Sequence, residues 1–155
     1  MKKEEKPNFL LKLFENASFL LLTEQDKFEA LKEMVGLLPS QIPLKNRDSF
    51  LQKIIEREQI ISTGIGNGVA IPHAHGGEVK DYFIALGYHP LGIDFESLDQ
   101  KPVHLLILMG TPGEDPNRKT YLKTLSALSK RVQNIDNILN INCKEKFLKI
   151  FFHLF

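Results

Sequence analysis

Ile61-Ser62-Thr63-Gly64-Ile65-Gly66-Asn67-Gly68-Val69-Ala70-Ile71-Pro72-His73-Ala74-His75-Gly76-Gly77 is the stretch around which the chain is organised. Its glycines at 64, 66 and 68, flanked by Ser62, Thr63 and Asn67, predict a loop with bare backbone amides. The short apolar step Val69-Ala70-Ile71 follows, and Pro72 fixes a turn that presents His73. Amides with no side chain over them can form a concave nest for an oxyanion. An imidazole beside such a nest can accept a phosphoryl group, pass a proton or hold a metal. The same residues also make an ordinary glycine-rich turn with one surface histidine, so residue chemistry alone leaves both readings open.

The remainder of the chain bounds what such a site can serve. A length of 155 residues with 43% hydrophobic content fits one domain spanning 1–155, with a short polar tail at about 1–7. Lys and Arg number 20 against 19 Asp and Glu, so no broad basic field invites nucleic acid or an anionic membrane. Arg118-Lys119 and Lys130-Arg131 read as ordinary helix-surface charges. The single Cys143 permits no internal disulfide and no cysteine-rich metal site, which suits a reducing compartment. Glu4, Glu5 and Pro7 spoil the opening as a secretory signal, and Lys12, Glu15 and Asn16 break the apolar runs far short of a membrane span. The expectation is a cytoplasmic protein without membrane insertion.

Strand and helix patterns alternate. Phe9 to Phe14 fits a short helix or strand, and Ser18 to Leu22 a short strand. Thr23, with Asp26 three positions on, resembles a helix start before Phe28, Leu31, Met34, Val35 and Leu38. Asn46 is a plausible cap for a second helix that presents Phe50, Leu51, Ile54 and Ile55 and ends near Glu58. Phe83 to Tyr88 and Val103 to Met109 have strand length, the latter too apolar for an edge. A loop from Gly110 to Asn117 leads to a helix carrying Leu122, Leu125 and Leu128, and Lys144 to Phe155 reads as a final helix. Such alternation gives an α/β layered fold.

Other chemistries fit poorly. The glycine loop lacks the Lys-Ser or Lys-Thr ending of a P-loop and runs into Pro72 instead of a long helix, so no nucleotide cofactor is expected. His73 and His75 supply only two ligands with no cysteine cluster beside them, so no metal is expected either. His75 shares a face with His73 only in an extended segment, and Pro72 with Gly76-Gly77 predicts a bent path. His104 reads as a hydrogen-bonded histidine of the sheet and His153 as peripheral. Arg57 can hold a phosphoryl group bidentately or cap a helix end, and the Thr63 and Ser62 hydroxyls can donate to phosphate or close the turn. Asp94 reads most simply as a turn former before Phe95.

Arg57 through His73 resembles the active-site segment of the IIA domains of the fructose and mannitol class of the phosphoenolpyruvate:sugar phosphotransferase system, most of all their nitrogen-regulatory branch. Ile93-Asp94-Phe95-Glu96-Ser97-Leu98-Asp99-Gln100-Lys101-Pro102-Val103 is similar to the family's segment leading into a core strand. Leu122-Lys123-Thr124-Leu125-Ser126-Ala127-Leu128-Ser129-Lys130-Arg131 is similar to the helix that follows. The resemblance implies a mixed β-sheet with helices on both sides, the type-2 IIA fold. It implies a histidine phosphocarrier in which His73 takes phosphate from HPr or a nitrogen-branch counterpart, with Arg57, Thr63 and Tyr121 in the site. The phosphoryl group would pass to a IIB domain, or its presence would control a regulatory target. Many family members have a second histidine where this chain has Tyr121, and a phenol with a pKa of about 10 cannot supply an imidazolium's positive charge. A phosphorylation-independent regulatory binding protein is therefore the alternative.

Overall fold

The computed structural model describes residues 11–113, 118–132 and 138–153; the polar tail expected at about 1–7 lies outside the described residues. Residues 11–15 are helical and are labelled α1. There follow β1 (Ser18–Leu21), α2 (Lys27–Leu37), α3 (Arg47–Ile60), β2 (Gly64–Gly66), β3 (Val69–Ala70) and β4 (His73–Gly76). The long strands β5 (Phe83–Ile93) and β6 (Val103–Pro112) come next, then α4 (Arg118–Val132), a single 3₁₀ turn (Ile138–Asn140) and α5 (Lys144–His153).

The strands form one mixed sheet in the order β1-β5-β6-β3-β2, with β4 also on β6. β5 and β6 are antiparallel, whereas β1 lies parallel to β5 and both β3 and β4 parallel to β6. Side-chain alternation on β6 divides the core in two. Leu106 and Leu108 join Leu31, Met34, Phe50 and Ile54 from α2 and α3. Leu105, Ile107 and Met109 face the other way, onto Phe14, Ile71, Leu128 and Phe147. Helices therefore cover both faces, as expected. Each fully buried side chain of this size contributes about 1.5–3 kcal/mol, so β6, buried on both faces, is the axis of the fold.

Local chemistry sets the helix ends. The Asp26 side chain caps α2 by accepting from the Glu29 amide at 3.1 Å. Thr23, expected at that start, instead has its amide and hydroxyl taken by the Glu33 carboxylate at 2.9 and 2.6 Å. Asn46 caps α3 through the Ser49 amide at 3.0 Å. That helix runs past Glu58 to Ile60 and delivers the chain to the glycine run.

The glycine run is a hairpin. Asn67 and Gly68 have φ of 55° and 81°, the paired positive values that a tight two-residue turn requires, and Asn-Gly is the pair that best adopts them. β2 and β3 lie antiparallel on either side. Beyond it Pro72 makes no turn. Val69 sits opposite Leu105 and His73 opposite Met109, the same register before and after the proline. Pro72 has no N–H to lose, and its carbonyl accepts the Met109 amide at 3.0 Å. β3 and β4 thus line β6 as one interrupted strand.

Candidate functional site

His73 opens β4, and the alternation of that strand decides where its ring goes. Ala74 packs into the cluster beneath α2 and α3. His73 and His75 project from the opposite face, in the row that contains Ile71 and Met109. The extended path replaces the bend expected after Pro72, and it brings both rings to one side. The half-buried His73 ring has Nδ1 2.9 Å from the Ile71 carbonyl oxygen. A carbonyl only accepts, so Nδ1 carries the proton and the lone pair lies on Nε2. Burial pushes the His73 pKa below its ordinary value; the Ile71 carbonyl and Glu58 act against that shift, and the charges of Arg57 and His75 act with it.

His73 lines a cleft of about 570 Å³ together with Lys53, Arg57, His75, Thr111 and Leu122. Arg57 caps the end of its helix and also lies at the cleft. Its Nη1 donates to the Ile61 carbonyl at the end of α3, 2.9 Å away, while the side chain lines the cleft. Lys53 stands one turn earlier on the same helix, with Nζ 3.0 Å from Glu78 Oε1. Residues four apart share a helical face, so Lys53 was legible beside Arg57 once that arginine was singled out. Ile60 and Leu122, 79% and 51% exposed, form an apolar rim.

Several expected residues sit elsewhere. The amides of the glycine run do not form an open nest: Asn67 N–H donates to Asp99 Oδ2 at 3.0 Å and Gly64 N–H to Ser62 Oγ at 3.1 Å. Neither residue lines the cleft. Thr63 is buried; its hydroxyl donates to Glu58 Oε1 and its amide to Glu58 Oε2 at 2.8 Å. Ser62 donates to the Phe95 carbonyl. Asp94 accepts the Glu96 amide at 3.1 Å, as a turn former does. His104 Nδ1 is 2.8 Å from the His89 carbonyl. Tyr121 belongs to α4, but its side chain lies outside the described residues, as does that of His153. No group of three or more His, Cys, Asp or Glu able to hold a metal ion occurs among the described residues.

A strand presenting His73 and His75 into a cleft beside an arginine can serve several chemistries, and the comparison with known families narrows them. Residues 12–153 match the family described as phosphoenolpyruvate-dependent sugar phosphotransferase system, EIIA 2. The chain belongs to that family. This EIIA 2 chain is 38% identical over 110 residues to the PTS system fructose-specific EIIABC component of Bacillus subtilis (strain 168), covering 71% of this chain and 17% of that protein. It is also 38% identical over 111 residues to a nitrogen regulatory protein of Klebsiella oxytoca, covering 70% and 65%. It thus spans less than two thirds of either relative. Among solved structures, the nitrogen regulatory protein IIA-Ntr from Neisseria meningitidis superposes with a TM-score of 0.76 at 24% identity, covering 92% and 99% of the two chains. That likeness establishes the EIIA 2 fold, including the mixed sheet. No helix among the described residues is long and apolar enough to cross a membrane.

Proposed function

We propose that this EIIA 2 chain is a histidine phosphocarrier of the phosphotransferase system, accepting a phosphoryl group on Nε2 of His73 from a phosphohistidine on an HPr-like protein. The observation that carries the reading is the 2.9 Å bond between His73 Nδ1 and the Ile71 carbonyl in a ring that lines the same cleft as Arg57 and Lys53. It keeps the proton on the nitrogen away from the reaction and the electron pair on Nε2. In the transfer the donor's N–P bond breaks, its electron pair returning to the donor imidazole, and the Nε2–P bond forms. The His73 ring gains positive charge, which the Ile71 carbonyl stabilises by holding the Nδ1 proton. Arg57 and Lys53 supply charge for the equatorial phosphoryl oxygens. Tyr121 takes the place of the family's second histidine as a neutral hydrogen-bond donor from α4, and Thr63 acts from behind the site through the Ile71 peptide, whose amide its carbonyl accepts.

The Klebsiella relative supports a nitrogen-type regulatory role, and the Bacillus relative, in which the EIIA part belongs to an EIIABC protein, supports onward transfer to a IIB domain. Tyr121 favours the second reading, a regulator that binds its target without phosphorylation. Incubation with phosphoenolpyruvate, enzyme I and an HPr-like carrier separates the two. Labelled phosphate on the wild type and none on His73→Ala supports the carrier. A wild type that stays unlabelled with every donor overturns it in favour of the regulator.

A further inference from the structure

Glu58 is adjacent in sequence to Arg57, yet it is 3% exposed and buried with Lys27, itself 7% exposed. Burying two charges costs several kcal/mol per ion before their attraction is counted. The use made of the carboxylate is specific. Oε2 accepts from Lys27 Nζ at 3.0 Å and from the Thr63 amide at 2.8 Å, and Oε1 accepts from the Thr63 hydroxyl. Lys27 Nζ is also held 5.1 Å from the centre of the Phe95 ring. Both donors of Thr63 are therefore fixed to one buried anion.

The series continues to the site. The Thr63 carbonyl accepts the Ile71 amide at 3.0 Å. The Ile71 carbonyl, on the other side of that residue, accepts Nδ1–H of His73 at 2.9 Å. Lys27, Glu58, Thr63, Ile71 and His73 thus form one unbroken run of polar contacts from the interior between α2 and α3 to the cleft. We infer that Glu58 is a positioning residue: by fixing Thr63 it sets the Ile71 peptide, and the Ile71 peptide sets the tautomer and aim of the His73 ring. A ring without that acceptor populates both tautomers, and a proton on Nε2 removes the nucleophilic lone pair. The consequence for transfer rests on the phosphocarrier reading. The tautomer can be read without phosphate.

The test is a nitrogen-15 spectrum of the His73 ring in unphosphorylated wild type, Glu58→Gln, Thr63→Val and Thr63→Ser at mildly alkaline pH. Transfer from a phosphorylated HPr-like donor is followed in parallel. The wild type and Thr63→Ser, which keeps the hydroxyl, are expected to show a single Nδ1–H form. Glu58→Gln and Thr63→Val are expected to show a mixture, with the maximal transfer rate about 10- to 100-fold lower and the donor's KM unchanged. Thr63→Val leaves the Lys27–Glu58 pair whole, so it decides alone should Glu58→Gln fail to fold. A wild-type ring signature in the folded Thr63→Val protein overturns the inference, and so does a Thr63→Ser protein as disturbed as Thr63→Val. A wild type that accepts no phosphate overturns the carrier reading instead, and the ring signatures still decide the role of Glu58.

Discussion

Nδ1 of His73 lies 2.9 Å from the carbonyl oxygen of Ile71, across Pro72 in the same chain. This contact exists because the register on β6 is the same before and after the proline, so Ile71 and His73 stand in one row of one face. A bend at Pro72 would have turned the Ile71 carbonyl away from the ring. The site's chemistry follows from a strand that continues where proline usually interrupts.

The first consequence concerns pH. Burial leads the depression of the His73 pKa, so between the folded value and the ordinary value of about 6.5 the unfolded chain binds more protons than the folded one. Stability then rises with pH across that window and is lost as pH falls through it. His73→Gln is expected to flatten that part of the urea stability curve, and phosphoryl acceptance by the wild type is expected to hold its plateau to below pH 6.5. A ring titration by NMR with its midpoint at or above 6.5 contradicts this.

Arg57→Ala removes the guanidinium from the cleft along with its bond to the Ile61 carbonyl. Hydrogen bonds to charged groups are worth about 1.5–3 kcal/mol, so transfer is expected to slow about 10- to 100-fold. The fold should lose only about 1 kcal/mol, for the one bond at the helix end. Rapid-quench phosphorylation and urea unfolding check the two parts separately, and an unchanged rate removes Arg57 from the site.

Gly68→Ala tests the hairpin. At φ of 81° a side chain is strained, and a Cβ placed there comes 2.7 Å from Ile138 Cγ2. A loss of about 1–3 kcal/mol is expected in urea unfolding. Neutrality would mean that the turn is not held as described.

How far the sequence revealed all this differs by residue. β6 was legible because a run from Val103 to Met109 that is apolar but for His104 has one comfortable place in a layered fold, and α3 because Asn46 marks its start and Phe50 and Ile54 its buried side. β4 was hidden: His-Ala-His-Gly has neither β-branched residues nor a full alternation, and only pairing with β6 makes it a strand. The glycines were open to two readings, and the hairpin won because Asn67 and Gly68 both take positive φ while Asp99, distant in sequence, takes the Asn67 amide. Arg57 and His73 were singled out through the motif, and the structure brings both to the cleft. Glu58 was missed because its partner Lys27 lies on another helix, and nothing local marks either charge as buried.

The resemblance to the family places Tyr121 at the position of a second histidine. Tyr121→His adds a donor able to carry positive charge and is expected to speed transfer or lengthen the phosphohistidine lifetime. Tyr121→Phe removes the donor and should slow transfer. Three equal rates would show that this position has no part in holding phosphate.

The central claim is that His73 carries the phosphoryl group on Nε2. The most direct measurement is to phosphorylate nitrogen-15-labelled protein with phosphoenolpyruvate, enzyme I and an HPr-like carrier, and to read which ring nitrogen couples to phosphorus. The account predicts one coupled nitrogen, Nε2 of His73, with Nδ1 still protonated. Phosphorus on Nδ1, or on His75 with His73 unmodified, would contradict it.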